Sequence, residues 1–261
     1  MAKQAILVVS FGTTKDETRE KTIGAVEKAI ALAFPGFLIQ RAFTSSVVIK
    51  RLAARGIAVK SVERALEYLV EAGVEKVFIQ PTHLIPGEEY EKLLTQAAPF
   101  AKRFGTLAIA KPLLYDTEDF IAIADAVGSA YKTEPGEALL LMGHGSAHFA
   151  GCIYPAMTYV LRNRGLDQAF LATVEGYPDF DDIRIEIARN SYQKVRLVPF
   201  MLVAGDHAMN DMAGDEPDSW KNRCAKMGIT PHCILAGLGE LEAVREVYVR
   251  HLQNCMEDEN G

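Results

Sequence analysis

Residues 76 to 81 read Lys-Val-Phe-Ile-Gln-Pro, and residues 194 to 199 read Lys-Val-Arg-Leu-Val-Pro. Short, mostly apolar runs of this kind, bounded by turn residues, indicate buried strands, which we predict at 76–80 and at 194–200. The likeness continues directly after each run, in Leu84-Ile-Pro-Gly-Glu-Glu89 and in Leu202-Val-Ala-Gly-Asp-His207. The chain is therefore predicted to consist of two similar halves.

Similar apolar runs recur on both sides of these two stretches, separated by helical patterns. Further strands are predicted at 5–10, 37–43 and 106–110, and at 138–142, 170–175 and 232–236. The clearest helical pattern runs from Ser61 to Ala72, with Ser61 at the N-cap and Gly73 after the last turn. Strands that alternate with amphipathic helices predict an α/β fold of two similar domains. Each domain is expected to be a mostly parallel four-stranded sheet flanked by helices.

The boundary between the two domains is expected near residues 117–135, because Lys132-Thr-Glu-Pro-Gly136 is typical of a connection. We predict an N-terminal domain over 1–127 and a C-terminal domain over 128–261, and we expect the last helix to pack back on the N-terminal domain. The chain has no low-complexity linker, which favours two domains packed around a shared cleft.

Composition excludes several functional classes. The chain has 261 residues, of which 49% are hydrophobic and 24% charged, as is typical of a globular protein. A formal net charge of -6 without a basic run argues against nucleic-acid binding. No apolar stretch approaches the roughly 18 residues of a membrane span, and the first apolar run lacks a leader cleavage pattern. Four scattered cysteines favour free thiols, so a cytoplasmic protein is expected.

Three strand ends of the second half each present a side chain that can bind a metal: His144, Glu175 and His207. Two imidazoles and one carboxylate suit a divalent ion such as Co²⁺, Ni²⁺, Fe²⁺ or Zn²⁺ and leave coordination positions open. Taken singly, each has another interpretation. His144 could belong to a polar His-Gly turn, Glu175 could be a solvated turn carboxylate, and His207 could cap a helix.

The internal repeat favours the metal interpretation. The positions of the first half that correspond to the three candidates hold Phe11 or Gly12, Phe43 and Glu89. If the three polar residues served only the fold, the first half would need similar ones. The aromatic rings of Phe11 and Phe43 suit contact with a flat apolar ligand instead. One half is therefore predicted to hold a metal and the other a macrocycle.

Three further polar residues lie near these strand ends. His148 follows His144 by four residues, but Gly145 argues against a continuous helix there, so His148 is expected to support the site at most. His83 follows the third strand, where structural and functional roles are equally open. Glu89 lies in the first turn of the next helix, where a carboxylate also suits the helix dipole.

The chain resembles the anaerobic cobalt chelatases (CbiK type) of the class II chelatase family. The resemblance rests on segments spread along the whole sequence. These are Leu7-Val-Val-Ser-Phe-Gly-Thr13, Arg41-Ala-Phe-Thr-Ser45, Gly87-Glu-Glu-Tyr-Glu-Lys92, Met142-Gly-His-Gly145, Val174-Glu-Gly-Tyr-Pro178 and Met201-Leu-Val-Ala-Gly-Asp-His-Ala-Met-Asn-Asp-Met212. The last segment is the most specific of them.

The resemblance implies insertion of Co²⁺ into sirohydrochlorin, without ATP, in a cleft between two domains, with His144, Glu175 and His207 as metal ligands. A second group of residues is then expected to contact the tetrapyrrole, namely Phe11, Gly12, Thr13 and Phe43. Catalytic roles are expected for His144 and His207, with Glu89 or His83 accepting protons from the macrocycle.

Some questions stay open at this level. Arg41 and Arg51 are candidates for pairing with the carboxylates of the substrate. Alternative functions are insertion of Fe²⁺ or Ni²⁺ into the same or a related tetrapyrrole, a noncatalytic tetrapyrrole or metal carrier, and a small-molecule binding module. Neither a nucleic acid nor a membrane is expected as a partner, whereas the sequence is compatible with a homo-oligomer.

Overall fold

Two parallel sheets flanked by helices form the protein in the computed structural model, which describes residues 3–259. The contacts divide the chain into two compact units. The first is the described part of Met1–Tyr115 together with Arg245–Gly261, and the second is Asp116–Val244. The predicted α/β class with two similar sheets is confirmed.

The sheet of the first unit has five parallel strands in the order β3-β2-β1-β4-β5. The strands are β1 (Gln4–Ser10), β2 (Leu38–Phe43), β3 (Lys60–Ser61), β4 (Lys76–Pro81) and β5 (Thr106–Ile109). Four of them agree with the predicted strands to within one residue at every end. The predicted count of four is wrong for this sheet, because the two-residue edge strand β3 has no apolar run that would reveal it.

Helices cover this sheet, and their bounds follow from local sequence. They are α1 (Asp16–Arg19), α2 (Ala25–Ala33), α3 (Ser46–Ala53), α4 (Val62–Glu71) and α5 (Glu88–Ala97), with a π-helical turn at Glu20–Gly24 and a 3₁₀ turn at Ala98–Phe100. The predicted α4 is confirmed: the Ser61 side chain accepts a hydrogen bond from the backbone N–H of Arg64, and Leu66 and Leu69 are buried against the sheet.

The sheet of the second unit has four parallel strands in the order β7-β6-β8-β9. They are β6 (Glu137–Gly143), β7 (Ala169–Thr173), β8 (Lys194–Pro199) and β9 (Thr230–Cys233). Every residue of the central strand β6 is buried, as expected for a strand covered by helices on both faces. The last strand begins two residues before its predicted position at 232–236.

The helices of the second unit are α6 (Thr117–Ala130), α7 (Ile153–Asn163), α8 (Phe180–Arg189) and α9 (Trp220–Lys226), with 3₁₀ turns at Phe149–Cys152 and Leu238–Glu240 and a π-helical turn at Ala208–Met212. Arg164, directly after α7, donates to Asp125 of α6 at 2.8 Å. The division by contacts places α6 with the second sheet. The domain boundary predicted from sequence lies instead between residues 127 and 128, and it stays a prediction for where the two halves fold separately.

The last helix, α10 (Glu242–Asp258), contributes most of its length to the first unit. Tyr248 on this helix is completely buried, and its hydroxyl donates to the carbonyl oxygen of Thr82 at 2.8 Å. His251 Nδ1 lies 3.3 Å from the carbonyl oxygen of Lys111. These contacts attach the helix to the segment that follows β4 and to the one that follows β5.

Within residues 3–259, no helix combines the length and the apolar character that a bilayer span requires.

Candidate metal centre

Three neighbouring strands of the second unit deliver the three predicted metal ligands to one edge of the sheet. His144 directly follows β6, Glu175 follows β7 by two residues, and His207 lies after β8, just before the π-helical turn Ala208–Met212. Each side chain offers one ligand atom, and these atoms all lie within 4.8 Å of one another. Among the residues that the structure describes, this is the one such group of three His, Cys, Asp or Glu side chains.

The spacing of these atoms is close to what a single ion requires. Nitrogen and oxygen ligands lie about 2.0–2.2 Å from a divalent ion, so two of them can be separated by up to roughly twice that distance. The rings of His144 and His207 are 5.0 Å apart and nearly perpendicular, at 86°. His144 and Glu175 are exposed and His207 is half-buried, so the centre is accessible to a second ligand.

Main-chain contacts hold the loops of His144 and Glu175 together. The N–H of Glu175 donates to the carbonyl oxygen of His144 at 2.8 Å, and the N–H of Val174 donates to that of Gly143 at 3.0 Å. Gly145 has a φ of +92°, and a Cβ atom there would lie 1.7 Å from the carbonyl oxygen of Glu175. Only glycine therefore permits this approach of the two loops.

Each histidine has one ring nitrogen engaged by an acceptor. His207 Nδ1 lies 2.6 Å from Asp211 Oδ2, and His144 Nδ1 lies 3.1 Å from the carbonyl oxygen of Gly145. A carbonyl or an ionised carboxylate can only accept, so Nδ1 carries the hydrogen in both rings. Nε2 is thus left for a metal ion in both. The contact with Asp211 was missed in the sequence, although its spacing of four residues from His207 was an available signal.

His148 does not join the three ligands. It caps the 3₁₀ turn Phe149–Cys152, where its Nδ1 accepts a hydrogen bond from the N–H of Ala150 at 3.2 Å. No helix connects His144 to His148, in agreement with the argument from Gly145.

The residues predicted to contact a macrocycle lie at the ends of β1 and β2 in the first unit. Phe11 is half-exposed, whereas Phe43 is completely buried. Gly12 has a φ of +100°, and a Cβ atom there would lie 2.5 Å from the Phe43 ring. Thr13 is buried, and its hydroxyl accepts from the N–H of Lys15. The burial of Phe43 does not fit a direct contact with a ligand, because Gly12 lies against its ring.

The two candidate proton acceptors lie after β4 and in the first turn of α5. Both ring nitrogens of His83 are buried, as is Oε2 of Glu89, and none of the three has a hydrogen-bond partner within residues 3–259. Burial lowers the pKa of His83 to about 4, opposed by Glu89 and reinforced by Lys92. Lys92 Nζ lies 3.5 Å from Glu89 Oε1. His83 is therefore a neutral imidazole at neutral pH.

Arg41 has a structural partner that the sequence did not reveal. Its guanidinium donates to both carboxylate oxygens of Glu27 at 2.6 Å. These hydrogen bonds raise the pKa of Arg41 against the opposing effect of burial. An arginine engaged in this way does not fit the predicted role of a free cation for substrate carboxylates. Arg51, the other candidate, is exposed on α3.

Comparison with solved structures identifies the fold. The chain aligns with SirB from Bacillus subtilis with a TM-score of 0.69 and 13% identity, over 99% of this chain and 98% of that one. It also aligns with CbiX, the terminal enzyme of siroheme biosynthesis in denitrifying bacteria, with a TM-score of 0.59 and 15% identity, over 96% and 98% of the chains. At such low identity the likeness shows a shared fold.

Sequence comparison is more specific. The family model described as cobalt chelatase (CbiK) matches residues 4–257. A sirohydrochlorin cobaltochelatase from Salmonella typhimurium is 37% identical, over 97% of both chains. The sirohydrochlorin cobaltochelatase CbiKC of Nitratidesulfovibrio vulgaris is 32% identical, over 97% of this chain and 90% of that one. These matches confirm the resemblance noted in the sequence: the chain belongs to the cobalt chelatase (CbiK) family.

Proposed function

We propose that this protein inserts Co²⁺ into sirohydrochlorin without ATP, and that His144, Glu175 and His207 hold the ion before transfer. The observation that carries the proposal is the convergence of these three side chains at one edge of the second sheet, with their ligand atoms within 4.8 Å of one another. The chain also belongs to the cobalt chelatase family. The two relatives named as sirohydrochlorin cobaltochelatases support the choice of metal and tetrapyrrole.

The ligand set suits transfer of a metal as well as its binding. Two imidazoles and a carboxylate bind Co²⁺ through nitrogen and oxygen, and three protein ligands leave positions where a macrocycle nitrogen can enter. Exposure of His144 and Glu175 supports such an exchange. The carboxylate of Glu175 also offsets part of the charge of the ion while the bonds to the protein are replaced.

The reaction must release protons, because two pyrrole N–H groups ionise as the divalent ion enters. The charge then balances: one Co²⁺ enters the macrocycle and two H⁺ leave it. Glu89 and His83 are the proposed acceptors, since Oε2 of Glu89 and the ring nitrogens of His83 have no hydrogen-bond partner in the described chain. Burial lowers the pKa of His83 to about 4, so this imidazole would hold a proton only transiently before passing it on. The proposed reaction uses no ATP, because replacing side-chain ligands by a chelating macrocycle is itself favourable.

In the first unit, we assign the contact with the macrocycle to the loop after β1. The half-exposed ring of Phe11 offers an aromatic face to a flat ligand, and Gly12, without a side chain, lets this loop pack against the ring of Phe43. Thr13 follows in the same loop. Phe43 supports this loop by packing against Gly12.

A cytoplasmic location belongs to the same proposal and is supported by four free cysteines, which suit a reducing compartment.

The proposal is tested by mixing the purified protein with sirohydrochlorin and Co²⁺ and following the absorbance of the macrocycle. Variants His144→Ala, Glu175→Gln and His207→Ala are compared with wild type and with His232→Ala, an exposed histidine on β9. We expect many turnovers for wild type and His232→Ala, and loss of most of the rate in the three ligand variants while they remain folded.

Two other results would contradict parts of the proposal. Stoichiometric binding without metallated product would favour a carrier. Faster insertion of Fe²⁺ or Ni²⁺ than of Co²⁺ in a competition assay would overturn the metal assignment, since the same donors accept all three ions.

A further inference from the structure

The two histidines of the metal centre differ in what holds them. His207 Nδ1 donates to a carboxylate of Asp211 at 2.6 Å, whereas His144 Nδ1 donates to the neutral carbonyl of Gly145 at 3.1 Å. Hydrogen bonds to an ionised acceptor are shorter and roughly twice as strong as those between neutral groups. A carboxylate behind an imidazole also increases its basicity as a metal ligand. His207 is therefore the stronger donor of the two.

The backbone around Asp211 fixes this contact. Asp211 lies in the π-helical turn Ala208–Met212, directly after His207, which places its carboxylate beside the imidazole at a spacing of four residues. Single π-helical turns are rare and occur often at functional sites. The turn closes tightly: the N–H of Gly214 donates to the carbonyl oxygen of Asn210, and a Cβ atom on Gly214 would lie 2.2 Å from that oxygen. The backbone on both sides of Asp211 thus holds this residue in place.

We propose that Asp211 is a positioning residue which makes His207 the ligand that retains the ion, so that His144 is the imidazole exchanged first for a macrocycle nitrogen. The inference rests on the proposed function and extends it to the order of ligand exchange. Asp211 orients the His207 ring, directs Nε2 toward the ion and strengthens that bond. His144, held by a weaker hydrogen bond on an exposed loop, is the ligand that leaves more easily.

The first test measures Co²⁺ binding to the full chain without tetrapyrrole, by titration of the Co²⁺ visible absorption bands. We expect Asp211→Ala to weaken binding by about 10- to 100-fold, the usual effect of removing a group that orients a metal ligand. Asp211→Asn should be less severe, because its amide oxygen still accepts the Nδ1–H while the charge is lost, and its bands should shift. Asp218→Asn, which changes an exposed carboxylate of the same segment, should bind as wild type.

A double-mutant cycle separates positioning of His207 from a general structural role. In a His207→Ala background, Asp211→Ala should change Co²⁺ affinity by no more than about twofold, because the ring on which it acts is gone. In a His144→Ala background it should retain its full effect. Equal losses in both backgrounds, or unchanged affinity in Asp211→Asn and Asp211→Ala, would overturn the assignment.

The order of exchange has its own readout. His207→Ala should weaken Co²⁺ binding at least about tenfold more than His144→Ala, since it removes the ligand that the carboxylate strengthens. Equal losses, or a larger loss in His144→Ala, would overturn the order. These measurements contain no tetrapyrrole, so they are distinct from the turnover assay: a wild type that binds Co²⁺ as described but forms no metallated sirohydrochlorin contradicts the proposed function alone.

Discussion

The N–H of Glu175 and the carbonyl oxygen of His144 are joined by a 2.8 Å hydrogen bond, so two of the three proposed metal ligands are connected through the main chain. A site connected in this way keeps the separation of the two loops whatever rotamers their side chains adopt. His207 has no such connection to them in the described contacts and is held instead by Asp211. The positions of His144 and Glu175 therefore depend on backbone geometry, whereas the orientation of His207 depends on the side-chain carboxylate of Asp211.

Gly145→Ala tests the main-chain connection. The new Cβ would lie 1.7 Å from the carbonyl oxygen of Glu175, so the loops must separate. We expect Co²⁺ affinity to fall at least about tenfold, with roughly 1–3 kcal/mol of stability lost to backbone strain. Gly165→Ala is the matched control, because Gly165 also has a positive φ, +85°, but open space around it. Its Co²⁺ binding should equal that of wild type, and an equal fall in both variants would refute the explanation.

Phe11 and Phe43 should respond differently to truncation. Phe11→Ala removes a half-exposed ring, so we expect little change in stability or Co²⁺ affinity and a higher KM for sirohydrochlorin. Phe43→Ala removes a completely buried ring and should cost about 3–5 kcal/mol of unfolding free energy. Chemical denaturation and steady-state kinetics measure the two effects. An unchanged KM in Phe11→Ala would remove the role proposed for this loop.

Arg41→Ala should act on stability rather than on substrate binding. The substitution leaves Glu27, with its side chain only 15% exposed, without the guanidinium that pairs with both of its oxygens. Loss of a hydrogen-bonded charged partner costs about 1.5–3 kcal/mol. Urea denaturation should show this loss, with an unchanged KM for sirohydrochlorin. A large rise in KM at wild-type stability would instead favour a role in binding the substrate carboxylates.

His83 should make the protein less stable as pH falls. Its pKa is about 4 when folded and near 6.5 when unfolded, so below pH 6.5 the unfolded chain binds the proton more readily. The stability lost this way grows as pH falls from about 6.5 and reaches roughly 3 kcal/mol at pH 4. His83→Gln should therefore show a flatter dependence of unfolding free energy on pH over this range. His232→Gln, at an exposed position, should follow the wild-type curve.

Much of the fold could be predicted from the sequence, because buried parallel strands need apolar runs and helices need an apolar stripe. The positions of β6 and β8, and with them the edge that presents His144 and His207, follow from such local patterns. What the sequence did not show depends on contacts between distant segments. Phe43 is completely buried, with Gly12 packed against its ring, and Arg41 is paired with Glu27 from a separate helix.

Helix α10 has a consequence for how the protein is made. The first unit is completed only when this helix, with its buried Tyr248 bonded to Thr82, is in place, yet the whole second unit precedes it in the chain. A ribosome therefore releases the half that carries the proposed metal ligands before it has synthesised the last part of the other half. The second unit can fold as it emerges, whereas the first lacks helix α10 until Glu242–Asp258 have been synthesised. Chaperone contact during synthesis should accordingly concentrate on the N-terminal segment.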